Sequence, residues 1–301
     1  MNYYHIIVNQ EAGNSKNKTK IQQIFKQLTA EKQAFKVYQT QYAGEEKKIA
    51  EKIIKHMAKI DRILVIGGDG TLSNVLQAVG ETPVGYIATG TGNDFARGIC
   101  LPLEPIAALK QFQESKGQKL NVINYRINNK SYLALNNVGV GLDAAIVAKT
   151  NQSKSKKILN RLHLGNLSYI VILFRLLFQQ KPFPVEITTA DYFLKVNNAF
   201  LLTVTNHPYF GGGIPLWPDA DIYSNQIDVV LIKRYNLFKL LYLLILIVTR
   251  RQMNHSDIIH LKTDSLNIKI LNPEFLQADG EDAPQRPYEI HFSTQQHHFW
   301  L

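Results

Sequence analysis

The sequence predicts an α/β domain followed by a β-rich domain, and three observations support this fold class. In the first third, short apolar runs typical of strands alternate with segments whose apolar residues recur every three or four positions, as in helices. Such alternation is typical of a parallel sheet with helices on both faces. After about residue 120 short strands and turns follow each other. The length of 301 residues suits two domains.

We place these domains at residues 1–122 and 123–301. The change of rhythm near residue 120 sets the boundary, since no flexible linker is visible in the sequence. Roughly the last 15 residues could return to the first domain. The second domain is predicted to be a β-sandwich.

Four strands and three helices alternate in the predicted first domain. The third strand is a continuous apolar run, as expected of a strand that is buried on both faces. The predicted strands are residues 3–8, 35–39, 63–66 and 84–88, and the predicted helix faces are Ile21/Ile24/Phe25/Leu28, Ile49/Ile53/Ile54/Met57 and Leu72/Val75/Leu76/Val79.

The second domain is predicted to contain eight short strands and two helical stretches. The strands are residues 122–127, 132–135, 185–188, 193–196, 200–205, 227–232, 266–270 and 288–292, and the helical stretches are residues 156–180 and 236–252. Apolar runs at 169–178 and 237–248 are too short to span a bilayer. They fit either buried core helices or helices that lie on a membrane surface.

The charge balance favours an anionic partner. Thirty-four Lys and Arg against 24 Asp and Glu give a formal net charge of +10. No zinc-finger spacing, basic heptad region or RNA-binding signature is present, so we expect no nucleic-acid partner. The single cysteine, Cys100, excludes an internal disulfide and fits a reducing cytoplasm. No secretory signal is expected either.

The segment Gly67-Gly68-Asp69-Gly70-Thr71 stands between a predicted strand and a predicted helix. Glycines allow the backbone to approach a ligand closely, and a helix start offers N–H donors and a positive dipole end. Together they predict a phosphate site. Asp69 would repel phosphate unless it binds Mg²⁺, accepts a proton or holds a sugar hydroxyl. The plainer alternative is that Asp69 and Thr71 cap the helix.

A second glycine-bearing segment, residues 89–97, follows the next predicted strand. Ligands of open parallel sheets bind outside the carboxyl ends of the strands, so both segments should meet at one edge. Asn9 and Thr40 end the first two strands there. Asn93 and Asp94 could belong to this site or only cap the next helix.

These residues resemble a known family. GGDGTLSNVLQA followed by PVGYIATGTGNDFAR resembles the catalytic domain of the diacylglycerol kinase and sphingosine kinase superfamily, and more narrowly the soluble bacterial diacylglycerol kinase-like lipid kinases. GVGLDAAIV (139–147), YFGGGIPLWPDADI (209–222) and ADGEDA (278–283) extend the likeness in the same order. The resemblance implies a Rossmann-like domain and a β-sandwich of the NAD kinase/diacylglycerol kinase-like fold. It also implies transfer of the γ-phosphoryl group of ATP to a lipid hydroxyl, with Mg²⁺ as cofactor.

The resemblance also implies site residues. The nucleotide should be surrounded by Asn9, Gly13, Thr40, Gly67, Gly68, Asp69, Gly70, Thr71, Gly90, Thr91, Asn93 and Asp94. The proposed general base is Asp279 or Glu281, with Asp69 as the rival. The alternative for Asp279-Gly280 is a plain β-turn.

Metal ligation is the least defined of these expectations. Asp69 and Asp94 are the expected Mg²⁺ ligands. A second, structural metal site near Asp219 and Asp221 is doubtful, because Asn121 and Ser224 stand where the family often has aspartates. A hard cation prefers charged oxygen ligands.

The acceptor is expected to be diacylglycerol, giving phosphatidic acid. The other acceptors considered are a sphingoid base, undecaprenol and phosphatidylglycerol. The protein would act at the inner face of an anionic membrane as a peripheral protein, and a homodimer is possible. The basic residues expected to face the membrane are Lys154, Lys156, Lys157, Arg161, Arg250 and Arg251. The competing functions are an NAD kinase and a non-catalytic basic regulator.

Overall fold

The computed structural model describes residues 2–9, 15–152, 175–253 and 255–301. The chain divides into two compact units. The first comprises Met1–Val122, Gly211–Gly213 and Gln295–Leu301, and the second comprises Ile123–Phe210 and Ile214–Thr294.

The first unit is built on a parallel sheet. Its elements are β1 (Tyr4–Val8), α1 (Ser15–Ala30), β2 (Phe35–Gln39), α2 (Glu45–His56), β3 (Arg62–Gly67), α3 (Asp69–Val79), β4 (Val84–Ala88), α4 (Asp94–Gly98) and α5 (Pro105–Glu114). The strand order is β4–β3–β1–β2, with every pair parallel. Near the end of the chain, Phe299 and Trp300 add a parallel strand beside β4. The predicted strand and helix alternation is therefore confirmed.

Helices α1 and α5 cover one face of this sheet. Tyr4, Ile6 and Val8 of β1 pack there against apolar side chains of both helices. Ile7 points to the other face and is also fully buried, and there α2 and α3 pack against each other. Burial on both faces explains the continuous apolar strands.

The second unit is mainly antiparallel. Its elements are β5 (Gln118–Ile127, which begins in the first unit), β6 (Lys130–Ala134), β7 (Asn137–Gly141), α6 (Leu142–Gln152), β8 (Phe183–Thr188), β9 (Phe193–Thr205), β10 (Tyr209–Phe210), β11 (Ile214–Pro215), β12 (Ile227–Lys233), α7 (Leu237–Val248), β13 (Ile258–Thr263), β14 (Ser265–Ala278) and β15 (Glu281–Trp300, which ends in the first unit).

The long strands β9 and β14 each take part in three ladders, and they share β7 and β8 as partners. β7 pairs with the end of both strands, and β8 pairs with the beginning of both. Side chains of these strands form an apolar core that includes Phe183, Ile268 and Phe292. A second core lies under α7.

Several predicted elements differ from the observed ones. The stretches 193–196 and 200–205 form one strand, because the polar pair Asn197-Asn198 lies at a register shift in the ladder with β8 and does not end the strand. The strands at 266–270 and 288–292 are parts of the much longer β14 and β15. Helices α5 and α6 and strands β7, β10, β11 and β13 were not predicted, and α4 was predicted only as the helix that Asn93 and Asp94 could cap.

The two predicted helical stretches have different outcomes. Residues 156–174 of the first stretch lie outside the described residues, and 175–179 are helical. The second ends at Val248, earlier than predicted. Among the described helices, none has both the length and the apolarity to cross a bilayer.

Gly85 of β4 provides a test of the packing in the first unit. A Cβ at this position would overlap the ring of Phe112 on α5. We expect Gly85→Ala to lower the free energy of unfolding by about 2 kcal/mol, the usual scale of overpacking. Chemical denaturation would measure this change. The control is Gly70→Ala, since a Cβ at Gly70 meets nothing within 4 Å; equal stability of the two variants would contradict the packing described for β4.

Candidate functional site

Asn9 links the end of β1 to two neighbouring elements. Its Nδ2 donates to Glu46 Oε1 at 3.1 Å and to Thr71 Oγ1 at 3.2 Å. Thr40 ends β2 at the same edge, where its backbone N donates to the Val8 carbonyl at 3.0 Å. The carboxyl edge of the sheet thus carries polar side chains from the ends of β1 and β2 and from helices α2 and α3.

The turn from β3 into α3 is tight. A Cβ at Gly67 would lie 2.8 Å from the Thr71 side chain, so the position excludes any larger residue. The backbone N–H groups of Thr71 and Leu72 donate to the Gly68 carbonyl, which begins the helix. Asp69 is the first helical residue. The start of α3 therefore points its positive dipole end toward this edge.

The loops after β3 and β4 are held against each other. A Cβ at Gly90 would lie 2.6 Å from the Cα of Gly68. The Thr89 N–H donates to the Gly67 carbonyl at 2.7 Å, and Asn17 Nδ2 donates to the Thr89 carbonyl. Only glycine permits this approach of the two backbones.

Asp69 joins the two loops through its carboxylate. Its Oδ2 accepts from the Asp94 backbone N at 2.7 Å, and its Oδ1 lies 3.1 Å from the Tyr86 hydroxyl. Burial, and then the negative charge of Asp69, raise the pKa of Tyr86 well above its ordinary value, so this hydroxyl stays protonated. Asp69 is a partly buried residue in the first turn of α3.

Asn93 and Asp94 lie at the start of α4. Asn93 adopts the left-handed conformation, with φ of 53°, and its Nδ2 donates to the Gly90 carbonyl at 2.9 Å. The Asp94 carboxylate is buried, accepts from the Gly212 backbone N at 2.8 Å and lies 3.3 Å from Arg97 Nη1. Burial raises the pKa of Asp94, whereas the amides of Gly212 and Gly213 and the Arg97 charge oppose the rise.

The structure brings most of the predicted nucleotide-binding residues together at this edge. Thr91 is exposed in the loop between Gly90 and Asn93. Gly13 lies outside the described residues. The gathered residues are Asn9, Thr40, Gly67, Gly68, Asp69, Gly70, Thr71, Gly90, Asn93 and Asp94.

Of the two predicted Mg²⁺ ligands at this edge, Asp69 fits the ion better than Asp94. Mg²⁺ is usually held by one or two carboxylates together with substrate phosphates and water. Asp69 fits such a role as one carboxylate. Asp94 fits it less well, because a guanidinium group and two amides already surround its carboxylate. Within the described residues there is no cluster of three or more His, Cys, Asp or Glu side chains that could hold a metal.

The second predicted group of site residues lies in the second unit, at the turn between β14 and β15. Asp279 and Gly280 have φ of 50° and 86°, as in the tight turns that join antiparallel strands. The plain-turn interpretation is therefore right for the backbone. The Asp279 carboxylate also accepts from the backbone N of Leu135 at 2.7 Å and of Asn136 at 2.8 Å. Glu281 is exposed and pairs with Ala278 in the ladder.

A buried polar network supports this turn, and the individual roles of its members were not predicted. Gln277 Nε2 donates to Asp143 Oδ2 at 2.8 Å and to Asn137 Oδ1, and Gln277 Oε1 accepts from the Gly280 backbone N at 2.9 Å. Burial raises the pKa of Asp143 to about 6. The sequence signal was a set of polar residues inside otherwise apolar runs, such as Asp143 in GVGLDAAIV.

His207 belongs to the same buried region. Its Nε2 lies 2.7 Å from Asn136 Oδ1, and its Nδ1 accepts from the Tyr209 backbone N at 3.2 Å. These partners require a neutral ring that carries its proton on Nε2. Burial accordingly lowers the pKa of His207 to about 3.

The residues proposed for a second metal site make other contacts. Asp221 Oδ1 accepts from the Tyr223 backbone N, and the Ser224 hydroxyl donates to the Asp221 carbonyl at 2.7 Å. Asp228 is buried and lies 2.7 Å from His260 Nε2, whose ring stacks on Trp217. Asn121 is buried in β5. The structural metal site near Asp219 and Asp221 stays a doubtful prediction.

Two family models match the chain in succession. Residues 3–125 match the diacylglycerol kinase catalytic domain, and residues 136–296 match the YegS C-terminal NAD kinase beta sandwich-like domain. The second match alone covers more than half of the chain. The chain belongs to the diacylglycerol kinase-like family of lipid kinases. It is a phosphotransferase of the kinase type.

Known relatives agree with this assignment. A diacylglycerol kinase of Staphylococcus epidermidis (strain ATCC 35984) is 28% identical over 255 residues, which are 83% of this chain and 76% of that protein. The crystal structure of a diacylglycerol kinase from Bacillus anthracis str. Sterne has a TM-score of 0.72 at 23% identity and covers 99% of this chain and 96% of that chain.

A more distant structure shares the fold alone. Yeast NADH kinase has a TM-score of 0.52 at 13% identity, over 98% of this chain and 78% of that chain. The family models confirm the predicted family, and the structural likeness confirms the predicted fold class.

Asp143 gives a pH-dependent test of the buried network of this lipid kinase. Because its folded pKa of about 6 exceeds the ordinary value of 3.8, the folded state keeps a proton that the unfolded state loses between these pH values. Stability contributed by this group is therefore lost as pH rises toward 6. Asp143→Asn retains an acceptor for Gln277 and carries no charge. We expect it to be more stable than the wild type above pH 6, by up to about 3 kcal/mol.

Thermal unfolding at several pH values would measure this difference. The gap in Tm between Asp143→Asn and the wild type should widen from pH 4 to pH 6 and stay constant above. A gap of the same size at all these pH values would show that the Asp143 carboxylate does not titrate in this range.

Proposed function

We propose that the protein transfers the γ-phosphoryl group of ATP to a hydroxyl group of diacylglycerol, giving phosphatidic acid. One observation carries this proposal: the glycine-rich loops after the adjacent parallel strands β3 and β4 are held in contact at Gly68 and Gly90. Such paired loops at the carboxyl edge of a parallel sheet suit a phosphate chain. The names of the relatives support diacylglycerol as the acceptor.

The nucleotide is proposed to lie along this edge. The start of α3 supplies backbone donors and a positive dipole end for the phosphates. Asn9, Thr40 and Thr71 supply polar side chains beside them. Asp69 is proposed as the protein carboxylate that holds Mg²⁺ with the phosphate oxygens, where the ion would neutralise charge during transfer.

The chemical step needs a base. The acceptor hydroxyl loses its proton to a carboxylate while its oxygen bonds to the γ-phosphorus, and the bond from that phosphorus to the ADP oxygen breaks. We propose Asp279 as this base, because backbone amides hold its carboxylate in one orientation. Glu281 is the rival, and Glu281→Gln should then lower kcat much less than Asp279→Asn.

The place of action follows from the substrates. ATP is a cytoplasmic nucleotide and diacylglycerol is a membrane lipid, so we propose that the protein works at the inner face of the membrane as a peripheral protein. The basic residues Arg250 and Arg251 are exposed and fit an anionic surface. Lys154, Lys156, Lys157 and Arg161 lie outside the described residues. The homodimer stays a prediction.

A transfer assay with labelled ATP tests the proposed reaction. The acceptors offered are diacylglycerol, a sphingoid base, undecaprenol, phosphatidylglycerol and NAD, each with Mg²⁺. Label in phosphatidic acid is the expected result. Label in another lipid would show that this lipid, and not diacylglycerol, is the acceptor. Label in NADP would favour an NAD kinase. No transfer to any acceptor would contradict the proposed reaction.

Asp69 tests the proposed nucleotide edge. We expect Asp69→Asn to lower kcat at least about 100-fold, since a charge that holds Mg²⁺ and orders both loops is lost. The control is Glu114→Gln, which removes an exposed carboxylate of the same unit that pairs with Lys110. Circular dichroism would verify the fold of both variants. A folded Asp69→Asn protein with wild-type kcat would remove Asp69 from the mechanism.

A further inference from the structure

Helix α7 is apolar around its whole circumference. Every one of its residues except Lys239 is aliphatic or aromatic. A helix on the surface of a globular protein is normally apolar on one face and polar on the other. Helix α7 therefore has more apolar residues than packing against a single core requires.

One face of α7 packs on the second unit. Leu240, Leu243, Leu246 and Ile247 are buried in the core beneath the helix. The buried-core interpretation of the stretch 237–248 is right for this face. Since the buried residues anchor the helix, changes on its opposite face should leave the fold intact.

The other face is exposed. Phe238 is 83% exposed, Tyr242 50%, Ile245 59% and Val248 58%. Their spacing of four, three and three residues places them in one line along the helix. We name these four residues the α7 outer face. Contiguous exposed apolar surface of this kind marks a site of interaction.

Positive charge adjoins this face at the end of the helix. Arg250 N–H donates to the Ile247 carbonyl and Arg251 N–H to the Leu246 carbonyl, the pattern that closes many helices. Arg250 has φ of 59°, at a position where glycine is favoured. Both arginines are exposed, and residues 236–253 contain no Asp or Glu.

We propose that the α7 outer face inserts into the surface of an anionic lipid bilayer, with Arg250 and Arg251 at the level of the headgroups. Apolar side chains next to basic ones are the combination that binds an anionic membrane interface. The proposal rests on the proposed function, because a kinase of a membrane lipid must reach that lipid in its bilayer. It adds the surface with which the protein would do so.

Co-sedimentation with vesicles, without ATP, tests this surface. The variant is Phe238→Ser/Ile245→Ser in the full-length protein, and the vesicles contain 30% phosphatidylglycerol in phosphatidylcholine. We expect the wild type to bind and the variant to bind at least tenfold more weakly. The matched control is Phe193→Ser, since Phe193 is 66% exposed in the same unit but lies on β9; it should bind like the wild type.

Arg251→Gln tests the electrostatic part. This variant should lose affinity for the anionic vesicles, and added salt should weaken the wild type more than the variant. Equal binding by the wild type and the Phe238→Ser/Ile245→Ser variant would overturn the proposal, as would a wild type that does not bind vesicles. The proposal would also be overturned if the wild type is a dimer and the Phe238→Ser/Ile245→Ser variant is a monomer that still binds vesicles. That result would show that the α7 outer face contacts a second copy of the chain.

A soluble acceptor separates this proposal from the proposed function. With short-chain diacylglycerol below its micelle concentration, the Phe238→Ser/Ile245→Ser variant should keep wild-type kcat/KM, whereas its rate on vesicle diacylglycerol should fall with its binding. Absence of transfer to either acceptor by the wild type would contradict the proposed function and leave the binding result to decide on the α7 outer face.

Discussion

The contact between Gly68 and Gly90 is the constraint on which the candidate nucleotide site depends. The backbones after β3 and β4 approach so closely that a single Cβ at Gly90 would lie 2.6 Å from the Gly68 Cα. The Thr89 to Gly67 hydrogen bond and the Asp69 carboxylate then hold the two loops in one arrangement. A rigid pair of loops fixes the positions of donors before a ligand arrives, which is what phosphoryl transfer requires of a protein.

Carboxylates have structural roles in both units. Asp69 joins two loops in the first unit, and Asp279 binds the amides of Leu135 and Asn136 in the second. In each case the hydrogen bonds orient a carboxylate to which we assign a role in the proposed phosphoryl transfer. The buried network of Asp143, Gln277 and Asn137 lies behind the second turn and keeps its backbone in place. These three side chains are buried, so their role is to hold the turn in place.

Most of the first unit was predictable from local patterns, because strands β1 to β4 and helices α1 to α3 each have their own apolar pattern. The helix α5 was missed although Glu104 and Pro105 form a common helix start, with the Glu104 side chain accepting from two backbone amides. The second unit was harder, since the lengths of β14 and β15 depend on pairing between distant segments. The hydrogen bonds of Asp279 to residues 135 and 136 join positions more than 140 residues apart, and no local pattern indicates them.

The gathering of the two glycine-rich loops at one edge followed from strand order, a general property of parallel sheets. Their contact did not, because a distance between backbones depends on the twist and packing of the whole sheet. The sequence left open whether α7 is a buried core helix or lies on a membrane surface, since an apolar run alone does not indicate which of its faces is exposed. Lys239 is the one charged residue of α7, but it does not mark the exposed apolar face, because its ammonium group forms an ion pair with Asp257.

Hydrogen–deuterium exchange in the presence and absence of a non-hydrolysable ATP analogue with Mg²⁺ tests the central claim most directly. The account predicts slower exchange of the backbone amides in both residues 67–72 and residues 89–97, since one phosphate chain would lie against both loops. Protection of neither loop at a saturating nucleotide concentration, or protection only elsewhere in the chain, would contradict it.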